Sequence, residues 1–155
     1  MPMLGFLPMD EGPRFFTVEE ANAAVPALEI EFGRIARARS ELGPLIESLG
    51  GAEVAVAILH DGGAPPPGRE RDADRLRALA AEITDSVQRV NDMGCLVKDL
   101  ERGLVDFYAL EDEEPVFLCW QYGEPAVAHW HGVDEGFAGR KPIAGVEVRP
   151  PTWPN

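Results

Sequence analysis

Cys95-Leu96-Val97-Lys98-Asp99-Leu100-Glu101-Arg102-Gly103-Leu104-Val105-Asp106-Phe107-Tyr108-Ala109-Leu110 is the stretch on which the fold turns. Two runs rich in β-branched and aromatic residues, 96–100 and 104–110, flank a short polar separator that ends in glycine. That is the pattern of a β-hairpin. It repeats downstream over 116–122 and 126–131, with polar separators at 111–114 and at Gly123-Glu124. The spacing predicts an antiparallel meander of three or four strands over 95–131.

Upstream the periodicity changes from two to three and four. Thr17 followed by Glu20 is a capping-box pattern, in which each side chain satisfies an orphan amide of the first turn. Ala21, Val25, Leu28, Phe32, Ile35, Leu42, Ile46 and Leu49 then form a helical stripe, with Arg39 in the one slot that breaks it. Pro26 lacks an amide, so a short first helix is expected to end or bend near Ala24, and Gly43-Pro44 marks a second break. Over 52–60 helix is favoured over a buried strand, because Ala52, Val56 and Leu59 extend the spacing of Ile46 and Leu49. A Gly/Pro breaker covers 61–68. A second helix is expected over 71–93, with Leu76, Leu79, Ile83, Val87 and Val90 on one face and Gly94 as its stop. The fold class is therefore α+β: a long helical hairpin over 17–93 packed against the meander. A loop motif over 132–142 completes a single domain over 15–142. Residues 1–14 read as a flexible extension and 143–155 as an irregular tail.

Composition sets the outer bounds. The 155 residues carry 14 Lys+Arg against 27 Asp+Glu, a formal charge of -13. That excess repels a nucleic-acid backbone or an anionic membrane surface. No apolar run approaches the ~20 residues of a membrane span, and the first residues lack the basic leader of a signal peptide. Two cysteines are too few for a disulfide framework and fit a reducing cytoplasm.

Strand register converts spacing into chemistry. With Gly123-Glu124 as the hairpin turn, Leu118 faces His129, Val116 faces His131 and Cys119 faces Ala128. His129 and His131 then share a face with Trp120 and Tyr122. A His-x-His pair offers two imidazoles to one metal, with Asp99, Asp134 or Glu135 to supply a third ligand. The alternative is a pair of solvated or hydrogen-bonded edge histidines. The opposite face collects Lys98, Asp106 and Cys119, with Lys98 directly across from Asp106. No histidine falls there to activate the thiol, so Cys119 is expected to pack as a small apolar group. The segment 130–140 places His131, Asp134, Glu135 and Arg140 among three glycines. Imidazole and carboxylate can move protons, and a guanidinium can clamp an anion. Equally, Arg140 can pair with Asp134 or Glu135 merely to pin the loop.

Three blocks carry a resemblance to a known family. They are Phe15-Phe16-Thr17-Val18-Glu19-Glu20-Ala21-Asn22 with Pro26 and Leu28, and the run 94–107. The third comprises Leu118-Cys119-Trp120, Gly123-Glu124, Trp130-His131, Asp134-Glu135-Gly136-Phe137 and Gly139-Arg140. In these the chain resembles the bacterial domain-of-unknown-function family DUF2203. The resemblance implies a small bacterial protein and brings no activity, cofactor or catalytic residue with it. His131 matches the family's Trp-His pair, whereas His129 falls where the pattern does not fix histidine, which moves attention to His131 with Asp134, Glu135 and Arg140.

The expected function is a non-catalytic interaction, scaffold or ligand-binding module acting as a homodimer, with a small molecule or metal as possible ligand and no nucleic acid or membrane as partner. The alternative is a small hydrolase-type or metal-dependent enzyme around His131, Asp134, Glu135 and Arg140. Candidate catalytic residues are His131, Glu135, Arg140, Asp106 and Lys98. Candidate metal ligands are His129, His131 and Asp134. No cofactor is assigned.

Overall fold

A computed structural model describes residues 14–144. Apart from Arg14, Ile143 and Ala144, the expected extension and tail lie outside those residues. The architecture is α+β: three helices precede a five-stranded antiparallel sheet in simple meander order, one strand or two more than the spacing predicts. The helices are α1 (Val18–Leu49), α2 (Ala52–Asp61) and α3 (Glu70–Asp92). The strands are β1 (Leu96–Asp99), β2 (Leu104–Glu111), β3 (Glu114–Gln121), β4 (His129–Gly132) and β5 (Lys141–Pro142). No single helix among the described residues is long and apolar enough to cross a membrane.

The chain divides into two compact units, one over 30–89 and one formed by the residues on either side. The 30–89 unit is a helical hairpin. Ser48 bonds Asp72 at 2.8 Å, Arg75 forks onto Glu41 at 2.7 and 3.0 Å, and Arg89 meets Glu31 at 2.9 Å. Partner numbers rise on one helix as they fall on the other, so α1 and α3 run antiparallel. At the closed end Leu49, Ala55, Ile58, Ala73 and Leu76 form the core, with Leu42, Leu45, Ile46 and Val54 packed against it.

Three expectations in this region are corrected. Helix α1 passes Pro26 and Gly43-Pro44 without a break. Pro26, Gly43 and Pro44 are all exposed, so the carbonyls that lose a partner lie on the solvent side. The buried stripe of Ala21, Val25, Leu28, Phe32 and Ile35 holds the helix together across Pro26. Ala38, rather than Arg39, fills the irregular slot. The break comes instead at Gly50-Gly51, where φ is +112° and +114° and the axis turns by 101° into α2. Helix α2 is a helix as expected. Because of that turn, however, the α1 seam does not carry over: Ala55 and Ile58 are buried while Ala52, Val56 and Leu59 are exposed.

In the second unit the capping box is realised. The Thr17 amide donates to Glu20 Oε1 at 2.9 Å and the Glu20 amide to Thr17 Oγ1 at 3.0 Å. The inner face of the sheet carries Val105, Phe107, Leu118 and Trp120, all buried. Phe16 packs edge-on to Phe107 with ring centroids 4.9 Å apart, and its amide donates to Tyr108 O at 2.7 Å. The Asn22 side chain clamps the backbone of Val127 at two points: Nδ2 donates to Val127 O at 3.2 Å, and Oδ1 accepts from Val127 N at 2.8 Å. Gly103 joins β1 to β2 at φ +72°, where a Cβ would lie only 2.5 Å from Cβ of Tyr122. Only glycine fits that turn.

Candidate functional site

The β3–β4 connection decides the site. Gly123-Glu124 does not close a two-residue hairpin. Glu124 turns inward and is buried: its Oε1 accepts from the Gln121 amide at 2.8 Å, and its carbonyl accepts from Trp120 Nε1 at 3.0 Å. Pro125 then has no amide for a ladder, and the chain detours through Val127 before pairing resumes. The register is therefore Val116↔Gly132, Phe117↔His131, Leu118↔Trp130 and Cys119↔His129, one residue away from that expected.

A one-residue slip moves side chains to the other face. His129 and His131 consequently leave the Trp120 face and join the outer one. There Asp106 pairs with Cys119 and Cys119 with His129 along one row, and Tyr108, Phe117 and His131 form the next. The expectation that no histidine lies beside Cys119 is overturned. The Lys98–Asp106 register is corrected too: Leu96 faces Asp106, and the pairing shifts between Val97 and Asp99. Bulged out of line, Lys98 places its Nζ 4.7 Å above the Phe117 ring.

His131 and Asp106 are almost wholly buried, at 2% and 3% exposed. His131 Nε2 lies 3.1 Å from each carboxylate oxygen of Asp106, and Nδ1 lies 2.8 Å from Gly132 O. A carbonyl only accepts, so Nδ1 carries a proton and donates. Ligand atoms of Asp106, Cys119 and His131 all lie within 4.8 Å of one another. They open on a cavity of about 120 Å³, lined also by Lys98, Leu104, Glu135, Gly136 and Phe137. Larger depressions elsewhere carry less chemistry. One of about 180 Å³ is lined chiefly by apolar groups such as Phe16, Val116 and Trp130. Another of about 480 Å³, beside Ser48 and Asp72, is wide open to solvent.

The 132–142 segment covers this face. Arg140 does not pair with Asp134 or Glu135. It forks onto buried Glu124, with Nη1 3.0 Å from Oε1 and Nη2 on Oε2, and reaches Cys119 Sγ at 3.8 Å. Burial alone would lower the guanidinium's affinity for its proton; the bonds to Glu124 and the sulfur outweigh it and raise its pKa. Phe137 lies beneath the guanidinium groups of Arg140 and Arg102, at 4.4 and 4.9 Å. Glu135 accepts from Lys141 Nζ and from the Gly132 amide, both at 2.8 Å. These two bonds, Lys141 foremost, hold its carboxyl below the usual range.

Burial pushes the Cys119 thiol up to about 12, against a smaller opposing pull from Arg140. His129 Nδ1 is buried and meets no hydrogen-bond partner among the described residues. Burial and then the Arg140 charge disfavour its protonation. Asp134 is exposed and does not line the cavity. Of the candidates, the structure thus brings His131, Asp106, Lys98 and Glu135 to one cavity, sets Arg140 behind it, and leaves Asp134 outside. Sequence reasoning missed Cys119 as a neighbour of His131. The signal was Pro125, which argues against a tight hairpin immediately before it.

A family profile described as "Uncharacterized conserved protein (DUF2203)" matches residues 14–143. The chain belongs to the DUF2203 family. No curated protein and no solved structure matches it. In this DUF2203 member the second and third of the three blocks in the first subsection converge on one place. Asp106 comes from the second block, and Cys119, His131 and the Glu135-Gly136-Phe137 cover come from the third.

Proposed function

We propose that this DUF2203 protein is a non-catalytic ligand-binding module of the bacterial cytoplasm that works through the Asp106–Cys119–His131 cavity. One observation carries the reading: ionisable groups converge on one cavity, yet the imidazole, the guanidinium and the Glu135 carboxylate beside it already have fixed partners. His131 has its two nitrogens on Gly132 O and Asp106, Arg140 is forked onto Glu124, and Glu135 is held by Lys141 and the Gly132 amide. A general base needs a free lone pair within about 3 Å of the proton it takes. This arrangement supports holding a ligand better than turning one over. The free, buried thiols of Cys95 and Cys119 suit a reducing compartment, and the charge of -13 disfavours nucleic acid and anionic membranes as partners.

Native mass spectrometry of protein purified without chelator tests the binding. A bound species is expected in wild type and absent in Asp106→Asn. Assays on an acetyl ester and a phosphate monoester are expected to show no turnover above buffer. Turnover that disappears in Asp106→Asn would overthrow the non-catalytic reading.

The module acts as a homodimer. Ile30, Val56 and Leu59 are large apolar side chains left 57%, 53% and 41% exposed in the helical unit, and such surface favours association. Sedimentation velocity at rising concentration is expected to show a dimer; a monomer throughout would remove this part.

A further inference from the structure

We infer that the ligand of this cavity is a single divalent transition-metal ion of the zinc class, held by a carboxylate oxygen of Asp106, the sulfur of Cys119 and Nε2 of His131. The inference rests on the binding-module reading and gives it a chemistry.

The placement of donor atoms comes first. Nδ1 of His131 lies on Gly132 O at 2.8 Å, which turns Nε2 toward both carboxylate oxygens of Asp106 at 3.1 Å. The sulfur of Cys119 completes a cluster of three buried donors. A metal ion taking Nε2, one carboxylate oxygen and the sulfur would leave the Gly132 contact intact. The Nδ1–H to carbonyl bond is also the contact that commonly fixes the tautomer of a metal-bound histidine.

Geometry and charge agree with this. Around a tetrahedral zinc, donor atoms stand about 3.3–3.6 Å apart, and the three donors here lie within 4.8 Å of one another. Small adjustments close the set. Three protein ligands leave a fourth position, and the cavity of about 120 Å³ lies on that side, enough for water or a small anion. Asp106 and a Cys119 thiolate together neutralise a divalent ion; the neighbouring Arg140–Glu124 and Lys141–Glu135 pairs add no net charge, and Lys98 adds one positive charge at the cavity wall. Arg140 Nη1, 3.8 Å from the sulfur, donates to the thiolate once it forms. The mixed S, N and O set favours zinc or cobalt over calcium or magnesium, which prefer all-oxygen sites.

The test is titration of the chelator-treated full chain with CoCl2, followed by displacement with ZnCl2. One Co2+ per chain is expected, with a sulfur-to-cobalt charge-transfer band that Zn2+ abolishes and that Mg2+ and Ca2+ leave unchanged. Cys119→Ser should lose the band, Asp106→Asn should weaken binding by more than ~100-fold, and His129→Ala should bind as wild type does. Circular dichroism checks that each variant is folded. If Asp106→Asn does not fold, X-ray absorption at the zinc edge of wild type carries the test, with one sulfur at about 2.3 Å expected. No uptake of Co2+, a spectrum without sulfur, or a band indifferent to Cys119→Ser would overturn the inference. Should metal uptake fail while native mass spectrometry still finds an organic occupant lost in Asp106→Asn, only the metal assignment falls. Metal uptake accompanied by ester turnover would instead retain the metal and remove the non-catalytic reading.

Discussion

On β2, Val105 and Phe107 point to one side and Asp106 to the other. On β3, Leu118 and Trp120 stand opposite Phe117 and Cys119. Both sides of these strands are closed from solvent, but by different means. The inner side is filled by hydrocarbon and aromatic rings, for which any well-packed neighbour serves. The outer side buries a carboxylate, a thiol and an imidazole, and such groups are tolerable in a low dielectric only when each has a specific partner. A sheet needs one apolar side to fold; a second covered side made of ionisable groups is a cost to the fold, which points to a purpose other than stability.

The comparison can be broken most sharply on the inner side. Trp120 is fully buried, so Trp120→Ala should lower unfolding free energy by about 4 kcal/mol, read from urea melts. A loss below ~1 kcal/mol would mean that the inner side is not the folding core. The outer side should behave non-additively. In metal-free protein Asp106→Leu strands His131 and should cost about 3 kcal/mol, whereas Asp106→Leu with His131→Leu should cost only about 1 kcal/mol. Additive losses would show that the two side chains do not form a unit.

Cys95 sharpens the contrast between the two thiols. Burial raises its thiol to about 11, so alkylation by iodoacetamide at neutral pH should run about 100-fold slower than for an exposed cysteine. Labelling at the rate of a free thiol would contradict its burial.

The smallest effect lies in the helical unit. Burial pulls the Glu31 carboxyl upward, but hydrogen bonds from Arg89 and Ser86 and the charges of Arg89 and Arg34 outweigh it and hold it below 4.5. A depressed carboxyl contributes stability that is present above its unfolded value and lost as pH falls through the folded one. Glu31→Gln should therefore cost about 0.5–1 kcal/mol at pH 7, since both arginines are about half exposed. The difference from wild type should persist to about pH 5 and shrink below 4.5. A difference that instead grows with acidification would reverse the assignment.

What could be read from the residues follows the same division. The capping box, the 70–92 helix, the β2 and β3 strands and the α+β class all rest on local signals, namely caps, period and turn chemistry, and these survive into the fold. The two prolines of α1 are not legible in this way, because their cost depends on which side of the helix they face, which tertiary packing decides. The site was half legible. His131, Asp106, Lys98 and Glu135 were singled out one by one, but which of them meet depends on a register set by the inward turn of Glu124 and the detour after it. A period of two makes strand faces readable and, for the same reason, makes a one-residue error total. That error is what hides the histidine beside Cys119, whose apolar neighbours Leu118 and Trp120 already read as core.

The two-point grip of Asn22 on Val127 has a consequence for that register. It ties the opening turn of the first helix to the very loop whose slack decides whether β4 enters the sheet odd or even. Asn22→Ala would remove both bonds and leave the Val127 amide and carbonyl without those partners. The opening of the first helix is thereby fastened to the segment that leads into β4 and its imidazole.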